Sequence, residues 1–251
     1  YPPDGLDENK RQWLAAIEAQ RKEPDALVAN AIQRHGNPYP RGDIRYAPSF
    51  DELEQSIKGI TVQQLESFHQ RFYAAAAADF AAVGDMDVGA VKQAVEQAFG
   101  NWRKPAVGAQ TYARVPQPLV LPPPARLLLS TPDKQNANLR AYLPLPVSDR
   151  DADYPALIAA DYILGGNTNS RLWTRIRESE GLSYDVRSGI AWNPWESNSG
   201  WTSSAIFAPQ NRAKVEAAWK QELDRSVKDG FTQGELDEAK NGLLNRRRLS
   251  R

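Results

Sequence analysis

Apolar positions at helical spacing open the chain. Trp13, Leu14 and Ile17 recur among charged residues between positions 6 and 23, and Pro24 separates them from a second periodic run over 26–34. The pattern predicts two consecutive helices. Residues 37–48 hold three prolines and Gly42, which is loop chemistry, and Thr61 with Gln64 forms a capping box opening a helix that reaches about Tyr73. The apolar run 80–83 ends at Gly84-Asp85 and is followed by Val91, Val95, Ala98 and Phe99, which reads as strand, turn and helix. Between 103 and 125 the periodicity fades and prolines accumulate, at 105, 116, 118 and 122–124, so this stretch reads as a linker. Beyond it, strands are expected at 127–131 and 138–143. A helix over 154–164 is ended by Gly165-Gly166, and a second over 170–179 is ended near Gly181. Strand-favouring residues fill 184–192 and 200–207. Residues 212–228 are amphipathic, and Thr232 with Glu235 makes a second capping box for a helix running to the last residue. The expectation is an α+β chain divided into 1–102, a linker at 103–125, and 126–251.

Leu6-Asp7-Glu8-Asn9-Lys10 resembles Leu236-Asp237-Glu238-Ala239-Lys240 at an offset of 230 residues, with Trp13-Leu14 matched by Leu243-Leu244. A duplication would start the sequence late in one copy of a domain and stop it before the end of the next. The last helix has neither Gly nor Pro to end it at Arg251, as expected of a chain cut inside an element.

Charge and composition then narrow the chemistry. With 31 basic and 31 acidic residues, nothing points to a polyanionic partner such as nucleic acid. The absence of cysteine excludes disulfides, thiolate metal sites and cysteine nucleophiles. No apolar run is long enough to span a membrane, and the first ten residues have neither the basic nor the apolar region of a secretion signal. The two histidines, His35 and His69, are 34 residues apart, and neither the H-E-x-x-H nor the H-x-x-E-H pattern of a helical zinc site occurs. His35 reads as a helix C-terminal residue before Gly36, and His69 as a side chain on a surface helix. A G-x-S-x-G elbow and glycine-rich phosphate loops are also missing.

Three groups of residues carry candidate chemistry. Trp192, Trp195 and Trp201 could stack a ligand or pack a sheet edge. Arg246, Arg247 and Arg248 could form a basic patch, although on one helix they point to different faces and read as solvated. The third group is a helix-to-strand turn in which Gly165-Gly166 precedes a helix, Arg177 lies near its end, and Gly181-Leu182-Ser183-Tyr184 leads into a strand. A guanidinium and a phenol there can donate to one carbonyl oxygen and stabilise charge developing on it. The plainer reading of the same spacing is an ion pair from Arg177 to Glu178 or Glu180 beside a packed Tyr184.

Residues 169–188, NSRLWTRIRESEGLSYDVRS, resemble a segment of the pitrilysin/insulinase family of zinc metallopeptidases, and GFTQGELDEAK resembles its E-G-x-T-x-x-E-L-x-x-A-K stretch. HGNPYPRG, ITVQQLESFHQRFY and AAVGDMD are similar to further family segments in the same order. The resemblance implies repeated α+β domains, each a mainly antiparallel sheet with helices on one face, in two halves that enclose an unfolded peptide. It implies a zinc-bearing half, in the same polypeptide or as a separate subunit, and a half that contributes an arginine and a tyrosine to the substrate. By motif these are Arg177 and Tyr184, with Gly181 beside them. Where the family places acidic zinc ligands downstream of its histidines, this sequence has Ala15-Ala16, which cannot bind metal. The expected reading is therefore the metal-free, substrate-binding half of a zinc metalloendopeptidase, inactive alone and binding no zinc itself. Sheet edges would offer backbone hydrogen bonds to an extended peptide. A catalytically dead scaffold or peptide-binding module is the alternative. Many family members work in the bacterial periplasm, with which a cysteine-free chain is compatible, and the cytoplasm stays open.

Overall fold

A computed structural model describes residues 3–73, 75, 78–102 and 114–250. The described residues within 1–17 and 50–115 form one compact unit, and those within 18–49 and 116–251 a second. The expected linker lies partly outside the described residues, at 103–113; its remainder, 114–125, is irregular backbone.

The first unit is built from helices. α1 (Pro3–Gln20) contributes the buried Ile17, and α3 (Phe50–Gly59) the buried Phe50. Lys10 on α1 donates through Nζ to the Lys58 carbonyl of α3 at 3.0 Å. α3 is absent from the expectations above, yet Phe50, Leu53 and Ile57 fall at i, i+3 and i+7, with Asp51 and Glu52 complementing the dipole of the first turn. α4 (Val62–Phe72) begins at the expected capping box: Gln64 N–H donates to Thr61 Oγ1, and Thr61 N–H donates to Gln64 Oε1. α5 (Val88–Phe99) is capped by Asp87, whose side chain accepts from Ala90 N–H at 3.0 Å. The strand expected at 80–83 does not form, and neither does the one at 127–131. A strand requires a neighbour to accept and donate its backbone hydrogen bonds, and neither run has one among the described residues. Val83 is fully exposed and Leu128 is 75% exposed.

The second unit holds the sheet, which gives the chain its α+β character. β1 (Ala137–Leu145), β2 (Asp185–Ala191) and β3 (Ser199–Phe207) are antiparallel in the order β1-β3-β2, so β3 is central. Alternation fixes its faces. Ser203, Ala205 and Phe207 of β3 are buried and lie opposite Ala141, Leu139 and Ala137 on β1. On the other side of β3, Ser188 and Val186 of β2 stand opposite Ser203 and Ala205. This face packs on Val215 and Ala218 of α7 (Arg212–Asp229), and on Leu172, Trp173 and Ile176. Each large apolar side chain so buried contributes roughly 1.5–3 kcal/mol. The buried Ser203 is satisfied, its Oγ donating to the Arg187 carbonyl and accepting from Trp219 Nε1 at 2.9 Å. Also in this unit, α2 (Pro24–Arg34) starts with proline in its first turn.

α6 (Tyr154–Leu164) is tied to the sheet by Asp161, whose Oδ1 accepts from Ser188 Oγ at 2.6 Å and from Trp201 Nε1 at 3.0 Å. Burial raises the Asp161 pKa, and those two hydrogen bonds oppose the rise. Past the helix, Ser188 N–H donates to the Gly165 carbonyl at 3.0 Å, and a Cβ on Gly165 would lie 2.7 Å from that same amide nitrogen. Only glycine permits this approach. α8 (Gln233–Leu249) begins at the second expected capping box, Thr232 with Glu235. Leu236-Asp237-Glu238-Ala239-Lys240 starts at the fourth residue of α8, just as Leu6-Asp7-Glu8-Asn9-Lys10 starts at the fourth residue of α1.

Candidate functional site

The helix expected over 170–179 is wound more widely than an α-helix. Trp173–Ser179 forms a π-helical segment, with Glu180 N–H bonded to the Arg175 carbonyl at 3.0 Å. It closes when Leu182 N–H reaches back to the Ile176 carbonyl at 2.9 Å. Gly181 makes that reversal with φ +60°, a conformation costly for side chains with a Cβ. The chain then enters β2, with Tyr184 N–H donating to the Ile206 carbonyl at 2.8 Å.

This turn brings Arg177 and Tyr184 together. Arg177 Nε donates to the Tyr184 carbonyl at 2.9 Å, while Tyr184 as a residue stays 64% exposed. The ion pairs of the plainer reading do not form. Glu180 is taken by Arg175, Nε to Oε1 at 3.0 Å, and Glu178 accepts from Trp173 Nε1 at 3.2 Å. Arg177 instead lies over the Trp173 ring, its guanidinium carbon 4.6 Å from the centroid, and pairs with no carboxylate among the described residues. The exposed guanidinium and phenol therefore flank one glycine turn at the start of an edge strand. Chemically, such a pair can donate to a carbonyl oxygen or hold a peptide; it cannot activate water unaided.

The other candidates disperse. Trp192 meets Tyr154 edge-on at 4.6 Å, Trp201 tilts against Trp219 at 6.4 Å, and Trp195 is 65% exposed with Arg150 near its ring. Arg246, Arg247 and Arg248 are exposed in the last turn of α8, where their charge complements the helix dipole. His35 follows α2, and its Nε2 lies 2.7 Å from the Pro123 carbonyl oxygen. His69 stacks on Tyr73 on α4, and Ala15 and Ala16 are exposed on α1. No group of three or more His, Asp or Glu side chains that could hold a metal exists among the described residues. Trp173 is the site residue that sequence reasoning missed, and an aromatic four residues before an arginine on one helix was the available signal.

The family model described as the peptidase M16 inactive domain matches residues 59–243, which include Arg177, Gly181 and Tyr184. An uncharacterized zinc protease of Mycobacterium tuberculosis is 28% identical over 193 residues, covering 75% of this chain and 42% of that protein. The chain thus spans less than half the length of this relative. Among solved structures, a peptidase M16 inactive domain from Pseudomonas fluorescens aligns with a TM-score of 0.73 and 26% identity, over 97% of this chain and 56% of that one. A protease from Helicobacter pylori shares the fold, with a TM-score of 0.76 and 16% identity over 98% of this chain and 58% of that chain.

Proposed function

The chain belongs to the peptidase M16 inactive-domain family, and from that premise we propose that it is the substrate-gripping, metal-free half of a zinc-dependent endopeptidase. The observation that carries the reading is the Arg177–Tyr184 pair, exposed and joined by one hydrogen bond at the start of β2. The zinc of the complete protein belongs to a partner half, in the same polypeptide or in another. That half would hold the metal, whose role would be to activate the attacking water, and would supply the general base. Here Arg177 donates toward the substrate carbonyl and Tyr184 presents its hydroxyl beside it, each stabilising charge that develops on oxygen. Gly181 keeps the turn narrow enough for both to reach one peptide. Strand addition along β2 is a lesser part of the grip, because the Ser188 amide is already bonded to Gly165.

In the complete protein, Arg177→Ala and Tyr184→Phe should each lower kcat/KM by roughly a hundredfold on an unstructured peptide. Both variants should keep the wild-type melting temperature. The chain alone with added zinc should show no turnover. If both variants retain activity within about twofold of wild type, the chain is a scaffold or passive peptide-binding module instead. Robust hydrolysis by the isolated chain would overturn the division of labour between the halves.

A further inference from the structure

Arg177 is held from two directions. Its Nε is fixed by the Tyr184 carbonyl, while its planar face rests on the indole of Trp173, 4.6 Å from ring centroid to guanidinium carbon. The indole is itself immobilised: Trp173 is 9% exposed, its apolar surface belongs to the core with Leu172 and Ile176, and Nε1 donates to Glu178 at 3.2 Å.

That last bond depends on the π winding. In an α-helix each residue advances about 100°, so residue i+4 falls about 40° from residue i while i+5 falls about 140° away. The wider turn of a π segment, closed by i+5 hydrogen bonds, brings i+5 back to the same face. Two side-chain pairs in this segment span five residues, Trp173 with Glu178 and Arg175 with Glu180, and the backbone bond from Glu180 to Arg175 has the same spacing. Trp173 therefore carries Arg177 at i+4 on its face and Glu178 at i+5 on its edge. Among the described residues, the terminal nitrogens of Arg177 make no hydrogen bond or ion pair.

We propose that Trp173, clamped by Glu178 across the π turn, is a positioning residue that fixes the plane of the Arg177 guanidinium and leaves its terminal nitrogens free for a substrate carbonyl. This rests on the substrate-gripping reading of Arg177. The contact is the electrostatic attraction of a cation for a ring face, strengthened because Trp173 is desolvated. Such a clamp lowers the cost of ordering a long side chain against the charge that develops in the transition state, so its loss is read in turnover.

The test measures kcat and KM of the complete protein on an unstructured peptide for Trp173→Phe, Trp173→Leu, Glu178→Ala and Arg177→Ala. The Arg177 Nε–H resonance is followed by NMR in parallel. Phenylalanine preserves a ring face, so W173F should stay within about threefold of wild type and keep the ring-current shift of the Arg177 resonance. W173L should lose about tenfold in kcat with KM nearly unchanged, and the resonance should move toward that of a free arginine. E178A, which leaves the core volume intact, should lose about threefold in kcat and broaden the same resonance, and it carries the test if W173L fails to fold. A resonance that does not move in W173L or E178A overturns the clamp. W173L or E178A turnover equal to wild type, with R177A still reduced roughly a hundredfold, also overturns it and leaves the substrate-gripping reading standing. If R177A itself retains wild-type turnover, that reading falls and the functional role of Trp173 falls with it.

Discussion

Three arginines within seven residues show how direction, more than residue type, assigns a role. Arg171 has a side chain only 9% exposed and grips Glu235 with two nitrogens, Nε to Oε1 at 2.6 Å and Nη2 to Oε2 at 2.8 Å; it also donates to the Gly230 carbonyl. Arg175 reaches Gln221, Glu180 and the buried Glu222. Arg177 alone of the three turns outward to Tyr184. A bidentate, largely buried pair stabilises the fold, whereas an exposed cation without a carboxylate is available to a ligand. The hydrogen bonds from Arg171, helped by those from Thr232, hold the Glu235 carboxyl well below its ordinary 4.5, at about 2, despite some burial that opposes them. A folded pKa below the unfolded one contributes stability that is complete above about pH 4.5 and is lost as the pH falls toward 2. Glu235→Gln should therefore cost on the order of 1–2 kcal/mol at pH 7, with the gap to wild type closing by about pH 2.5. Urea unfolding at several pH values measures this, and a gap unchanged at low pH would show that the pairing charge is not its source.

Between elements, small residues set the distance of approach. On α8, Gly242 faces Tyr162 of α6, and a Cβ built there would meet the Tyr162 hydroxyl oxygen inside van der Waals contact, with the adjacent ring carbon at 2.8 Å. Alanine in a helix gains about 1 kcal/mol over glycine in propensity. Overpacking of this kind costs roughly 1–3 kcal/mol, so crowding wins. Gly242→Ala should lower stability by about 1 kcal/mol net, and Tyr162→Phe combined with it should recover part of that loss, because the two sites share one contact. Strictly additive effects in thermal or urea unfolding would rule out the crowding. The capping boxes at Thr61 and Thr232 were legible in the sequence because a cap is a local bargain between a side chain and the next three backbone amides. The π winding of Trp173–Ser179 was not, since hydrophobic spacing over seven residues does not separate i+4 from i+5 closure.

At the scale of the whole molecule, the family assignment covers residues 59–243, and the zinc of such a peptidase finds no ligand set among the described residues. The physical reason lies in donor types. Exposed Ala15 and Ala16 carry no donor atoms, and the two imidazoles are engaged separately, one beside the Pro123 carbonyl and one stacked on Tyr73. Equilibrium dialysis of the chain against micromolar zinc should recover well under one bound ion per chain, and a stoichiometric ion held by protein side chains would contradict this account. No helix among the described residues is long and apolar enough to cross a membrane.

The sequence by itself determined the helices with caps, the segment 138–143 that became the heart of β1, the glycine turns, and the motif containing Arg177 and Tyr184. Each of these is set by interactions within a few residues or by a pattern of residue types. Only the tertiary structure decided that the apolar runs 80–83 and 127–131 would remain unpaired, because pairing is a property of two segments and the pattern of one cannot supply the other. It also decided that Glu178 and Glu180 would be claimed by Trp173 and Arg175, which turns Arg177 toward Tyr184. Spacing left Glu178 and Glu180 open as partners of that guanidinium, and packing on the Trp173 indole turned it away from both, to a backbone carbonyl that spacing had not offered.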